Sequence, residues 1–209
     1  MSVRKQSLFC IPLLLTLLAS CASVKKVTLE KDSLIPMQQY SKTSTVVTDG
    51  LTLELGKFQD LRSNEINKKH IGKTYTGFGD EPTPVEFENT LEEALKEQVK
   101  DGLKKRGISI SSTGEFTLNA GIEKYWLEEI TKGLGPREYE CTVKIKFDLQ
   151  SNENSGTKWF GSFSSKISSG TQSQEGLDKK SSTLASCMNQ ILEALIQEEK
   201  FQEITRISL

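Results

Sequence analysis

Histidine is nearly missing from this chain of 209 residues, and His70 is the only one. A lone histidine rules out a multi-histidine metal centre and leaves one imidazole for acid–base work. No nucleophile motif stands with it: GxSxG, HExxH, the P-loop and the dinucleotide fingerprint do not occur. Gly77-Phe78-Gly79-Asp80 lacks the Lys-Ser/Thr pair of a phosphate cradle. His70 therefore reads as a solvated loop residue beside Lys68, Lys69 and Lys73. The cysteines number 4, without CxxC spacing or nearby histidines, so there is no zinc signature. An excess of one charge is lacking too: 27 Lys and Arg face 28 Asp and Glu, interleaved at short range. That balance gives no electrostatic footing for nucleic acid. Beyond the N-terminal segment, no apolar run approaches the roughly 20 residues of a spanning helix. The expectation is a chain that is no enzyme and carries no metal or cofactor.

What is present is concentrated first at the N-terminus. Arg4 and Lys5 precede a mostly apolar run, Ser7 to Leu18. It has the length of a secretory signal core and is too short to cross a bilayer. The run closes on Leu18-Ala19-Ser20-Cys21. A branched apolar residue, two small residues and a cysteine at this place resemble the lipobox of bacterial lipoproteins. The tetrapeptide alone does not suffice, because Leu184-Ala185-Ser186-Cys187 repeats it inside a helical pattern with no basic or apolar segment ahead. Position and flanks make the signal. The resemblance implies cleavage between Ser20 and Cys21, a diacylglyceryl group on the Cys21 sulfur and acylation of the new amine. Each buried acyl methylene contributes about 0.8 kcal/mol, so one chain holds marginally while two or three hold firmly. Ala22, where Asp would favour inner-membrane retention, implies an outer-membrane anchor with the body facing the periplasm. The chain thus divides into a signal peptide (1–20), a lipidated N-terminus with tether (21–47) and a single α+β domain (48–209).

Within that domain, Leu51, Leu53 and Leu55 alternate as a strand, and Gly56 marks a bulge. Residues 63–83 read as a long polar loop. Thr83-Pro84-Val85-Glu86 fits a capping box with proline at the first helical position. The apolar stripe Phe87, Leu91, Ala94, Leu95, Val99 and Leu103 then predicts a helix that stops at Gly107. Phe116 to Ile122 alternates, but Tyr125 and Leu127 have the opposite parity, so this strand either bulges or exposes an apolar second face. Tyr139, Cys141, Val143, Ile145, Phe147 and Leu149 form the strongest period-two run. Trp159, Phe163 and Ile167 continue as its partner. A last helix spans about Leu177 to Glu198, with Phe201 and Ile204 anchoring the tail. Two helices on one face of a mainly antiparallel sheet of four to five strands bury these stripes economically.

Several side chains are candidates for a site. Asp60 and Arg62 share a strand face and are a candidate ligand site, or they pair with neighbouring backbone. Tyr125, Trp126 and Leu127 are a candidate partner surface, because aromatic residues concentrate at hot spots. Cys141 and Cys187 both point inward, where they either form a disulfide or sit as two buried thiols. Asp60-x-Arg62, Ile71-Gly72 and a helix closing in Leu103-Lys104-Lys105-Arg106-Gly107 together resemble the YajG-type uncharacterised lipoproteins over about residues 50 to 200. That resemblance implies a fold and a compartment but no activity. The leading expectation is a non-enzymatic envelope lipoprotein that docks another envelope protein or assembly. The alternative is a module that binds envelope glycan or lipid through the helix–sheet groove and the 63–83 loop.

Overall fold

A computed structural model describes residues 27–29, 47–48, 52–63, 68–75, 82–130, 137–153, 156–169 and 179–208. Cys10, Ser20 and Cys21, and with them the lipobox, lie outside the described residues, as does Gly77 to Asp80. The elements run β1 (Val27–Leu29), β2 (Val47–Thr48), β3 (Thr52–Asp60), β4 (His70–Thr74), β5 (Thr83–Phe87), α1 (Leu91–Lys105) and β6 (Ser109–Ile110). The chain continues with β7 (Phe116–Glu129), β8 (Tyr139–Ser151), β9 (Thr157–Ser168), α2 (Lys179–Gln197), α3 (Glu199–Thr205) and β10 (Ile207–Ser208).

The class is α+β as expected, but the sheet is larger and mixed. Among the described residues eight strands join in one sheet, and β2 and β10 form a separate antiparallel pair. The antiparallel part is the meander β7-β8-β9, where the period-two runs lie. The parallel part arises because β7 is 14 residues long and meets two strands along its other edge. β3 pairs with its first half, and β4 pairs with it at Leu127 and Glu128. β6 extends β3, and β5 and β1 extend β4. β1 falls inside the segment expected as tether and pairs in parallel with β5.

The polar loop expected over 63–83 contains β4. The helix expected from Thr83 starts later, because Thr83–Phe87 is β5, with Val85 and Phe87 buried. The true cap is Thr90, whose hydroxyl accepts from the Glu93 amide at 3.3 Å while the Glu93 carboxylate accepts from the Thr90 amide at 3.4 Å. At the other end Gly107 takes φ 87°, the left-handed stop expected there.

α1 packs on β3 and α2, while α2 packs on β8 and β9. Both helices lie on one face, and a single apolar cluster fills the space between them and the sheet. Bulges in β3 and β7 keep that face apolar. One, at Gly56 and Lys57, returns Phe58 to the core. The other, between Ile122 and Lys124, reverses the parity of β7, so that Tyr125 and Leu127 point inward after all. The final helical segment splits at Glu198, which caps α3. α3 carries Phe201 onto Trp159, with ring centroids 5.2 Å apart. Among the described residues no helix is long and apolar enough to cross a membrane.

Candidate functional site

Asp60 and Arg62 are both buried where β3 ends. The Arg62 guanidinium spends every N–H on the protein. Nε donates to Asp60 Oδ1 at 3.0 Å and Nη2 to Asp60 Oδ2 at 2.9 Å. Nη1 donates to the carbonyls of His70 (2.5 Å) and Tyr125 (3.4 Å), and Nη2 also to that of Lys68 (2.8 Å). Arginine has five N–H donors, and all are consumed. Burial pushes the Asp60 pKa up, but the Arg62 hydrogen bonds and charge, with Lys68, outweigh it and hold the carboxyl below its ordinary value. The pair is a clamp joining β3, the approach to β4 and β7. It has no donor left for a ligand, so of the two readings of this pair the structure shows the pairing with neighbours and backbone and not the ligand site.

The other shared motif residues are joints as well. Ile71 is fully buried, and a Cβ on Gly72 would run into the carbonyl oxygen of Leu127. Glycine is therefore what lets β4 approach β7. Arg106 is buried at the end of α1 and donates from Nε (3.0 Å) and Nη2 (2.8 Å) to Glu193 on α2, and from Nη1 to the Gly102 carbonyl. His70 opens β4 rather than lying in a loop, and its Nε2 is 2.6 Å from Glu86 Oε1 across the strand pair.

Tyr125 and Leu127 are fully buried, so the trio with Trp126 is not a partner surface. The Tyr125 hydroxyl donates to Gln98 Oε1 at 3.2 Å, and burial pushes its pKa far up. Trp126 stands alone on the opposite, outer face, half-buried. Cys141 and Cys187 do meet in the core, but as free thiols. Cys187 Sγ donates to the Cys141 carbonyl at 3.2 Å, and burial pushes the Cys141 thiol up. They act as small apolar side chains where α2 crosses β8, and no disulfide links them. Among the described residues no cluster of His, Cys, Asp and Glu is placed to hold a metal.

The space between helices and sheet is core, not groove. A groove of about 510 Å³ opens instead on the outer face, lined by residues that include Lys57, Gln59, Leu61, Asn119, Asp148 and Phe160. Leu61 and Phe160 are large apolar side chains left 49% and 69% exposed there. Gly121 lets the Leu61 side chain lie over β7, because a Cβ at that position would meet Leu61 Cδ1 at 2.7 Å. Asn119 Nδ2 (3.1 Å) and Gln150 Nε2 (2.9 Å) both donate to Asp148 Oδ1, and Asn119 Oδ1 accepts from the Lys57 amide at 2.7 Å. Alongside, Glu123 holds Lys144 at 2.8 Å and also pairs with Lys146. The sequence left the face opposite the helices available to a partner, but Leu61 and Phe160 were not singled out on it. Its signal was two apolar residues out of phase with their neighbours: Leu61 between the inward Asp60 and Arg62, and Phe160 beside the inward Trp159.

A family model described as uncharacterised lipoprotein matches residues 41–205. No curated protein matches the sequence significantly. Among solved structures, protein XCC0632 of Xanthomonas campestris is 11% identical, with a TM-score of 0.50 over 75% of this chain and 85% of that one. Lipoprotein GNA1162 of Neisseria meningitidis is also 11% identical, with a TM-score of 0.35 over 68% of this chain and 99% of that one. The first likeness extends to the fold alone.

Proposed function

The chain belongs to the family of uncharacterised lipoproteins, and we propose that it works as a non-enzymatic docking module held at a membrane by lipid on Cys21. The anchor lies in the outer membrane and the body faces the periplasm. The observation that carries the docking reading is the asymmetry of the sheet. One face is sealed by α1 and α2, while the other keeps Leu61 and Phe160 exposed around a groove. Large apolar side chains gathered at a depression mark contact surfaces. The motif residues that looked like chemistry are committed to internal clamps, which leaves the outer face as the part free to meet an envelope component. That component is another envelope protein on the first reading. The groove's mix of amide, carboxylate and exposed ring favours a second, envelope glycan.

A photo-crosslinking residue in place of Phe160, in intact cells, tests the docking reading. A defined adduct is expected there and not from the same residue at Lys104, exposed at the end of α1. Adducts from neither position, or equally from both, would reject docking through this face.

A further inference from the structure

We infer that the outer-face groove binds a glycan strand bearing hydroxyl and acetamido groups, the chemistry of the peptidoglycan backbone. This rests on the docking reading above and names its partner. The groove runs across strands rather than along one. Phe160 lies opposite Asp148, Asp148 opposite Asn119, and Gln59 opposite Gly121 on the next row. From β9 to β3 is three inter-strand spacings, about 14 Å, room for a short oligosaccharide.

The floor offers what sugars need. Hydroxyls require fixed acceptors and donors, and acetamido groups require both on one planar partner. Two amides converge on Asp148 Oδ1, which fixes the carboxylate and leaves Oδ2 without a protein partner among the described residues. The Gln59 amide and the Lys57 ammonium are likewise without side-chain partners among the described residues, and both face the groove. A Gln59 amide can donate to an acetamido carbonyl and accept from its N–H. Phe160 presents an exposed ring for the C–H face of a pyranose, and Leu61 an apolar contact for an acetyl methyl at the opposite rim.

Other occupants fit less well. Two apolar side chains, with amides and a carboxylate between them, give a protein partner a smaller apolar centre than such interfaces usually have. They are also not the continuous face that inserts into lipid. Lys57 and Asp148 balance, and Lys146 is paired with Glu123, so no cationic cradle awaits a phosphate. A neutral, hydroxyl-rich strand matches this surface.

The test is titration of the full mature chain, in detergent micelles, with the hexamer of β-1,4-linked N-acetylglucosamine. Cellohexaose serves as the comparator without acetamido groups, and purified sacculi as the polymer. Saturable hexamer binding is expected, at least tenfold tighter than cellohexaose, with co-sedimentation on sacculi. F160A and Q59A should each weaken it at least tenfold with unchanged thermal unfolding, and F160W should retain it. No saturable hexamer binding would overturn the inference, as would equal affinity for cellohexaose, indifference to both alanine variants, or failure to bind sacculi. A protein adduct at Phe160 together with no hexamer binding would remove the glycan and keep the docking face. Neither adduct nor binding would remove both.

Discussion

Arg62 is the residue on which β3, the start of β4 and β7 converge. Its five donors tie Asp60, the backbone at 68 and 70, and β7 into one buried unit. Removing one partner of a buried, hydrogen-bonded pair costs about 3–5 kcal/mol, because the other charge is left without compensation. R62A should therefore lower the free energy of unfolding by about that much, read by urea denaturation. The same pair makes stability depend on acidity. The Asp60 pKa is lower folded than unfolded, so its contribution is complete above the unfolded value and is lost as pH falls through the folded one. Wild-type stability should fall as pH drops below the ordinary carboxylate range, and D60N should fall less steeply there. Parallel slopes would contradict the clamp. At Gly72 the constraint is steric. A methyl group would strike the Leu127 carbonyl, and overpacking of this kind costs about 1–3 kcal/mol, so G72A should destabilise by that amount in the same measurement.

The elements differ in how plainly their residues announce them. β8 was legible because its alternation of apolar and polar residues matches a half-buried strand, and the apolar stripe of α1 was legible for the corresponding helical reason. β4 was not, because His70, Gly72, Lys73 and Thr74 carry little apolar signal. The strand exists through pairing with β5 and β7, a long-range cause that no local pattern records. β5 misled in another way. Proline followed by Val-Glu imitates a helix start, yet Thr83, Val85 and Phe87 alternate inward as a strand. The candidate site followed the same logic. Asp60 and Arg62 stood out by type, but only the structure shows that neighbouring carbonyls consume the guanidinium. Leu61 and Phe160 were visible as out-of-phase apolar residues, but two of these mean little until the fold brings them to one groove. The placement of the cap is testable. T90A should cost about 0.5–2 kcal/mol, whereas T83A should not weaken α1 by removing a cap. Helix content and denaturation midpoint of the two variants decide it.

At the scale of the whole molecule, one side of the sheet is committed to helices, and no helix among the described residues packs on the other. The residues shared with the lipoprotein resemblance lie in the committed half: Asp60 and Arg62 at a clamp, Gly72 at a close strand approach, Arg106 between two helices. Motifs of this kind specify a scaffold and leave the outward surface free to differ. The anchor sets where that surface works. C21S should move the protein from the membrane fraction to the soluble fraction and leave the folded body intact by circular dichroism, whereas persistence at the membrane would show another attachment. Docking through the outer face is tested most directly by amine labelling of intact cells compared with the purified protein, quantified residue by residue by mass spectrometry. Lys57 and Lys146 line the outer-face groove, while Lys104 and Lys105 are exposed at the end of α1. Docking through the outer face predicts that the first pair is protected in cells and the second is not. Equal labelling of both pairs in the two preparations would contradict it.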